Sequence, residues 1–255
     1  MDLPQNTFKR RLASGPAQLG FWLTIPDPSV AEAVAGAGFD WMVLDTEHTA
    51  VEVSAILPLL QAVAPYPVAP VVRPYVNDTA LLKRHLDQGA QTLLLPMINS
   101  AAEAQAAVRA VRYAPRGVRG MAGTMRAARY GRVQDYAARA DAEICLVLQI
   151  ETVEAMGALE AIAAVDGVDA LFFGPSDLAA SMGYPGQPSH PEVRAAILTA
   201  IARAKAAGAR AGLLTLNTEL GDDCRAACGD CVGDRVDIAV VVGAVAAVAI
   251  LALGW

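Results

Sequence analysis

The chain has 255 residues, 55% of them hydrophobic, and its 26 acids outnumber its 20 lysines and arginines for a net charge of −6. With no basic stripe to neutralise phosphates, nucleic acid is excluded as an expected partner. Four cysteines in a chain this long do not make a disulfide scaffold, and the opening MDLPQNTFKRRLASG has no apolar signal core. A reducing cytoplasm is therefore the expected setting.

Gln18–Leu23 reads as a first strand, followed by a helix over Pro28–Ala37 that Gly38 closes. Trp41–Leu44 is a second strand with a helix over Val53–Val63, and Val68–Val72 a third with a helix over Thr79–Gln88 stopped by Gly89. Thr92–Leu95 is a fourth, with a helix over Ala101–Val111. A glycine- and arginine-rich loop, Arg116–Arg132, precedes a helix near Gln134–Ala140. Ile144–Gln149 is a fifth strand with a helix over Thr152–Ala163, and Ala170–Phe173 a sixth with a helix over Pro191–Ala207 ended by Gly208. Ala211–Leu216 and Ile238–Val242 complete the series. Short runs rich in Val, Leu, Ile and Phe suit strands buried on both faces of a parallel sheet. Eight βα units predict an α/β fold, a single (β/α)8 TIM barrel over residues 1–255 with an atypical C-terminal segment.

Polar residues gather where these runs end. Trp41–Leu44 leads into Asp45-Thr46-Glu47-His48, and Val68–Val72 into Arg73-Pro74. The fifth strand leads through Gln149 and Ile150 to Glu151, and the sixth into Gly174-Pro175-Ser176-Asp177. Ligands bind at the C-terminal strand ends of parallel α/β folds, so acid, base and cation from four strands would face one rim.

Glu151 and Asp177 are the candidate metal ligands: two carboxylates without a nearby cysteine or histidine suit Mg²⁺, Mn²⁺ or Co²⁺ rather than a closed zinc site. The alternative is that each caps the helix that follows it. His48 is the candidate general base, with Asp45 near enough in sequence to orient its ring. The other two of the three histidines, His85 and His190, fall mid-helix and at a helix start. Arg73 could hold a carboxylate or an enolate oxygen, or form an ion pair within the rim. The Gly174-Pro175-Ser176 turn could offer backbone N–H groups to a substrate carboxylate, Pro175 giving none. The lysines are Lys9, Lys83 and Lys205, none at a strand end where a Schiff-base amine belongs.

The strings LDTEH, VVRPYVND, HLDQGAQTLLLPM, RYAPRGVRG, LQIET, GPSDLAASMGY and HPEV, in that order from about Phe8 to Leu216, resemble the HpcH/HpaI aldolase family. The resemblance implies a divalent-metal-dependent (class II) pyruvate aldolase on a (β/α)8 barrel, with no organic cofactor. It implies Glu151 and Asp177 as metal ligands, His48 as base and Arg73 at the enolate oxygen. Gln149 would help position pyruvate, and Asp45 and Asp87 would support the histidine and its water. The substrates would be small 2-oxo acids and aldehydes, and the assembly a homo-oligomer, typically a hexamer. VRPYVND and QIETVEAM lie closest to 4-hydroxy-2-oxoheptanedioate aldolases, which release pyruvate and succinic semialdehyde through a metal-bound enolate. Aldolases of 2-keto-3-deoxy sugar acids share these motifs; a CoA-thioester lyase and a non-catalytic metabolite-binding barrel are the further alternatives. Arg116, Arg119, Arg126, Arg129 and Arg132 could hold the far carboxylate of a dicarboxylic substrate, or serve as solvated loop charge or subunit contacts.

Beyond Asn217 the resemblance stops. Cys224, Cys228 and Cys231 have CxxxCxxC spacing, and residues 238–255 carry no charge over the length of a membrane span. An iron–sulfur site, a membrane anchor and a frameshifted end are alternatives here. The expected reading is an eighth strand with an apolar interface tail, without a membrane partner.

Overall fold

The computed structural model describes residues 1–14, 16–217, 219, 220 and 223, together with 231–236; of Ser14 and 231–236 it gives the backbone alone. The strands are β1 (Gln18–Leu23), β2 (Trp41–Asp45), β3 (Ala69–Arg73), β4 (Thr92–Leu95), β5 (Cys145–Ile150), β6 (Ala170–Phe173), β7 (Arg210–Leu214) and β8 (Cys231–Val236). Each pairs in parallel with the next, and β8 also pairs with β1, so the ring closes in chain order.

Two apolar faces explain the strand sequences. Met42, Leu44, Val72, Leu93, Leu148 and Phe173 point outward beneath the helices. Their alternates, among them Trp22, Trp41, Val43, Val71, Val147 and Phe172, fill the barrel interior, the period-2 partition of a strand. Inside, Trp22 and Trp41 each lie against Phe172, with ring centroids 5.8 and 6.1 Å away. Trp41 fits because β1 carries Gly20: a Cβ there would stand 2.2 Å from the indole.

The helices α1 (Thr7–Ser14), α2 (Pro28–Ala35), α3 (Val53–Val63), α4 (Thr79–Asp87), α5 (Ala101–Ala110) and α6 (Tyr136–Glu143) come before β5. After it come α7 (Val153–Gly157), α8 (Leu159–Ala163), α9 (Pro175–Ser181) and α10 (Pro191–Ala206). Asp27, Asp78 and Ser100 cap α2, α4 and α5 by accepting from backbone N–H groups of the first turn, which satisfies donors that the helix itself leaves free. Phe8 and Leu12 of α1 join the interior cluster, with Phe8 edge-on to Trp41 at 5.8 Å.

The regular (β/α)8 expectation is corrected on three counts. The strands whose side chains are described, β1–β7, form a seven-stranded, all-parallel, curled sheet. The eighth strand falls at Cys231–Val236 instead of Ile238–Val242, and no helix follows it among the described residues. Its sequence includes Asp234 and Arg235, so an apolar run could not mark it. Nor do the helices keep an eightfold beat. α1 precedes the first strand, the expected helix over Thr152–Ala163 divides at Ala158 into α7 and α8, and α9 and α10 share one connection. Cys224, Cys228 and residues 238–255 lie outside the described residues. Among those described, no helix is long and apolar enough to cross a membrane.

Candidate active site

A cleft of about 460 Å³ opens at the C-terminal strand ends, lined by Trp22, His48, Arg73, Gln149, Glu151 and the turn Gly174–Asp177, among others. Its geometry begins with sheet register, which sets Asp45 of β2 opposite Arg73 of β3. Arg73 donates from Nε to Asp45 Oδ1 at 2.8 Å and from Nη2 to Oδ2 at 2.7 Å. Its guanidinium lies 4.8 Å from the Trp22 ring centroid, and Nη1 stands 2.8 Å from Glu47 Oε2. That last contact is ionic: no donor is aimed at Glu47 Oε2, which accepts no hydrogen bond. A planar cation held on two edges and one face cannot turn.

Glu151 is buried. Its Oε1 accepts from Met97 N at 2.8 Å and its Oε2 from Gln149 Nε2 at 2.7 Å. Met97 reaches it from a left-handed backbone conformation, φ 54°. Burial pushes the Glu151 carboxyl up to about 7, aided by the charges of Glu47 and Asp177 and opposed by the Met97 N–H and Arg73. Glu47 is likewise raised to about 7 by burial, with Arg73 opposing and Asp45 and Asp177 adding to the rise. Burial is the largest cause of both rises, and repulsion between neighbouring carboxylates adds to it.

A cation between Glu151 and Asp177 would relieve that repulsion, and three observations fit one. Asp177 sits at the third position of α9 and lines the cleft. Gly174 leaves room at the carboxylate, since a Cβ there would stand 2.4 Å from Glu151 Oε2. Gln149 Oε1 is buried without a hydrogen-bond partner. Among the described residues no group of three or more His, Cys, Asp or Glu forms a ready cage. An ion held here would complete its shell with water and substrate, as hard divalent ions do.

The expected support of His48 by Asp45 is corrected. Both Asp45 oxygens are taken by Arg73, with Trp22 Nε1 at 3.4 Å and Glu47 N at 3.0 Å adding to them. His48 is exposed and has its Nε2 3.8 Å from Glu47 Oε2. Asp87 is not at the rim either. It ends α4, a helix that runs back to the start of β4, and it accepts from Arg119 Nη2 at 2.9 Å. The arginine loop lies with it: Arg116 pairs with Asp141, Arg126 donates to Gln88 O, and Arg132 donates to Arg129 O. Within one chain these arginines do not face the cleft. Lys9 is bound to Ile144 O and Asp169, Lys83 lies in α4 and Lys205 in α10.

Trp22, Met97 and the segment Thr215–Asn217 were missed as site residues. Trp22 and Thr215–Asn217 stand at strand ends, as Arg73 does, but Trp22 reads as core, and Thr215 and Leu216 read as the end of the seventh strand with Asn217 just past it. Met97 contributes only its backbone N–H, which no residue type announces.

The HpcH/HpaI aldolase/citrate lyase family model matches residues 18–242. The chain belongs to the HpcH/HpaI aldolase/citrate lyase family. A relative in Rhizobium etli named pyruvate aldolase is 56% identical over 84% of this chain and 85% of its own. One in Shigella sonnei named 4-hydroxy-2-oxo-heptane-1,7-dioate aldolase is 48% identical over 85% of this chain and 83% of its own. A solved HpcH/HpaI structure from Burkholderia cenocepacia superposes with a TM-score of 0.92 at 37% identity, covering 96% of this chain and 98% of that one. Family and relatives together support an aldolase.

Proposed function

We propose that this aldolase is divalent-metal-dependent and reversibly cleaves 4-hydroxy-2-oxo acids to pyruvate and an aldehyde. The observation that carries the reading is the meeting of Glu151, Asp177, the immobilised Arg73 and the exposed His48 around one cleft. A Mg²⁺, Mn²⁺ or Co²⁺ ion held by Glu151 and Asp177 supplies Lewis-acid stabilisation of the negative charge that develops on the 2-oxo oxygen.

The chain's own groups do the rest. His48 takes the proton of the 4-hydroxyl at Nε2, where Glu47 Oε2, 3.8 Å away, stabilises the imidazolium. The C3–C4 electron pair moves onto the 2-oxo unit, and the aldehyde separates. Arg73 offers its remaining N–H groups to the enolate oxygen, and Asp45 keeps them from reorienting as charge develops. Gln149 and Ser176 hold the pyruvate half, and C3 then takes the proton back from His48 to give pyruvate. No lysine lines the cleft, which favours a metal over an imine as the electron sink.

The heptanedioate specificity draws on the Shigella relative's name and on the arginine loop, which this chain turns away from its own cleft. The test of the reading is pyruvate release from a 4-hydroxy-2-oxo acid before EDTA, after EDTA, and after return of Mn²⁺ or Mg²⁺. Turnover lost and then restored is the expected result, and a His48→Ala variant should lose about 10²–10⁴ in rate. Turnover indifferent to EDTA would refute the metal.

A further inference from the structure

The opposite end of the barrel holds another cavity, of about 120 Å³. Pro70 from the start of β3, Ala90 from the turn before β4, and Leu60 and Ala64 from the end of α3 give it an apolar lining. These residues all stand at the N-terminal strand ends, so the length of a strand separates the cavity from Arg73 and Glu151. Its charged side is the arginine loop, which brings Arg126 and Arg129, with Tyr136 of α6 beside them.

The five arginines of that loop are not alike. Arg116 pairs with Asp141 and Arg119 with Asp87, whereas Arg126 and Arg129 feel each other. Burial first, and then the charge of Arg129, lower the Arg126 guanidinium from its ordinary value, with Tyr130 opposing. The backbone nevertheless holds the two cations together. Arg126 opens a single 3₁₀ turn, Arg126–Ala128, and its Nη1 donates to Gln88 O at 2.7 Å. Gly89 keeps that seat clear, since a Cβ there would stand 2.5 Å from Nη1. Arg129 and Tyr130 follow in the left-handed region, with φ 51° and 57°, a backbone that residues with a side chain adopt at a cost. The Arg129 carbonyl is fixed by Arg132 Nη1. Like charges held side by side at a cavity repel when it is empty and are relieved when it holds an anion.

We propose that this cavity is a second ligand site, separate from the catalytic cleft, and that it takes the anion of a short organic acid. Arg129 and the remaining N–H groups of Arg126 meet the carboxylate, a planar group that guanidinium forks match. The apolar lining takes the tail. A volume of about 120 Å³ equals the liquid share of about four waters, which suits an acid of about two to four carbons and is too small for a sugar or a nucleotide. The site needs no metal, because Glu151 and Asp177 lie at the other rim.

The full chain with Mg²⁺ is titrated with butyrate, which has no 2-oxo group, and with its neutral analogue butyramide, each followed by saturation-transfer NMR. Saturable binding of butyrate is expected, at least about tenfold tighter than that of butyramide, with the methyl end most strongly saturated. EDTA and Arg73→Lys should leave this binding unchanged, which separates the cavity from the cleft. Arg129 is exposed, so Arg129→Gln removes a charge without disturbing the core, and Ala64→Phe fills the space while sparing both arginines. Each should weaken butyrate about tenfold. Binding lost in Arg73→Lys but kept in Arg129→Gln would put the anion in the cleft and overturn the proposal. Butyramide bound as well as butyrate, or inorganic phosphate bound more tightly, would overturn it too, as neither is a carboxylate with an apolar tail. Butyrate that fails to saturate overturns it outright.

Discussion

Arg73 and Asp45 meet through two parallel hydrogen bonds, 2.8 and 2.7 Å long, across adjacent strands in register. This pair makes the rim's cation rigid. Lysine cannot reproduce a two-pronged contact, so Arg73→Lys should lower kcat for pyruvate release about 10²-fold while leaving the fold intact. Asp45→Ala removes both hydrogen-bonded prongs and leaves the buried cation with Glu47 alone, and should cost about 3 kcal/mol in urea unfolding. A Lys variant of full activity would show that the fork does not matter.

Gly174 stands where a side chain would strike Glu151. Gly174→Ala would place a Cβ 2.4 Å from Oε2 and must displace the carboxylate. Mn²⁺ affinity measured by calorimetry should fall at least about tenfold, with circular dichroism unchanged. Wild-type affinity in this variant would remove Glu151 from the ligand set.

Metal affinity should follow the protonation of Glu151, whose carboxyl is pushed to about 7 from 4.5. Between these values the folded chain holds a proton that the unfolded chain has released. The carboxyl's stabilising contribution is therefore full below pH 4.5 and fades as pH rises through 7. Metal binding needs the carboxylate and runs the opposite way, weakening about tenfold per pH unit below 7. Titrations with Mn²⁺ at pH 6, 7 and 8 check this; a flat profile would contradict it.

His85 supplies a separate pH effect. It is wholly buried in α4, neither ring nitrogen has a partner, and burial, aided by Arg84, lowers it from 6.5 to about 4. The folded state resists protonation, so stability is present above pH 6.5 and is lost as pH falls toward 4. Between pH 7 and 5 the loss is about 2 kcal/mol. His85→Leu should abolish that part of the acid sensitivity, seen as a smaller shift in urea midpoint between those two pH values.

The sequence shows the rim because a polar residue that ends an apolar run is visible in one dimension. Arg73, Gln149, Glu151 and Asp177 are legible that way, and the bounds of β1–β7 lie within two residues of expectation, as at Ala69–Arg73. What it could not resolve was which rim residue takes which. Asp45 is three positions from His48 and twenty-eight from Arg73, yet strand register overrules proximity along the chain. Asp87 shows the same limit along a helix, because nine residues of α4 carry it to the other end of the barrel. The last strand is expected at the apolar run Ile238–Val242 and falls at Cys231–Val236 for a compositional reason, its charged Asp234 and Arg235.

The aromatic stack of Trp22, Trp41 and Phe172, stoppered by Phe8 of α1, gives the barrel a solid floor. Among the described residues the chamber opens at the rim, and traffic there is first-out for whatever sits nearest the threshold. In the proposed reaction the pyruvate half is held by Arg73 and Gln149, which line the cleft, so the aldehyde should depart first and pyruvate last. Pyruvate should then compete with the uncleaved substrate for the empty enzyme, whereas the aldehyde should inhibit noncompetitively.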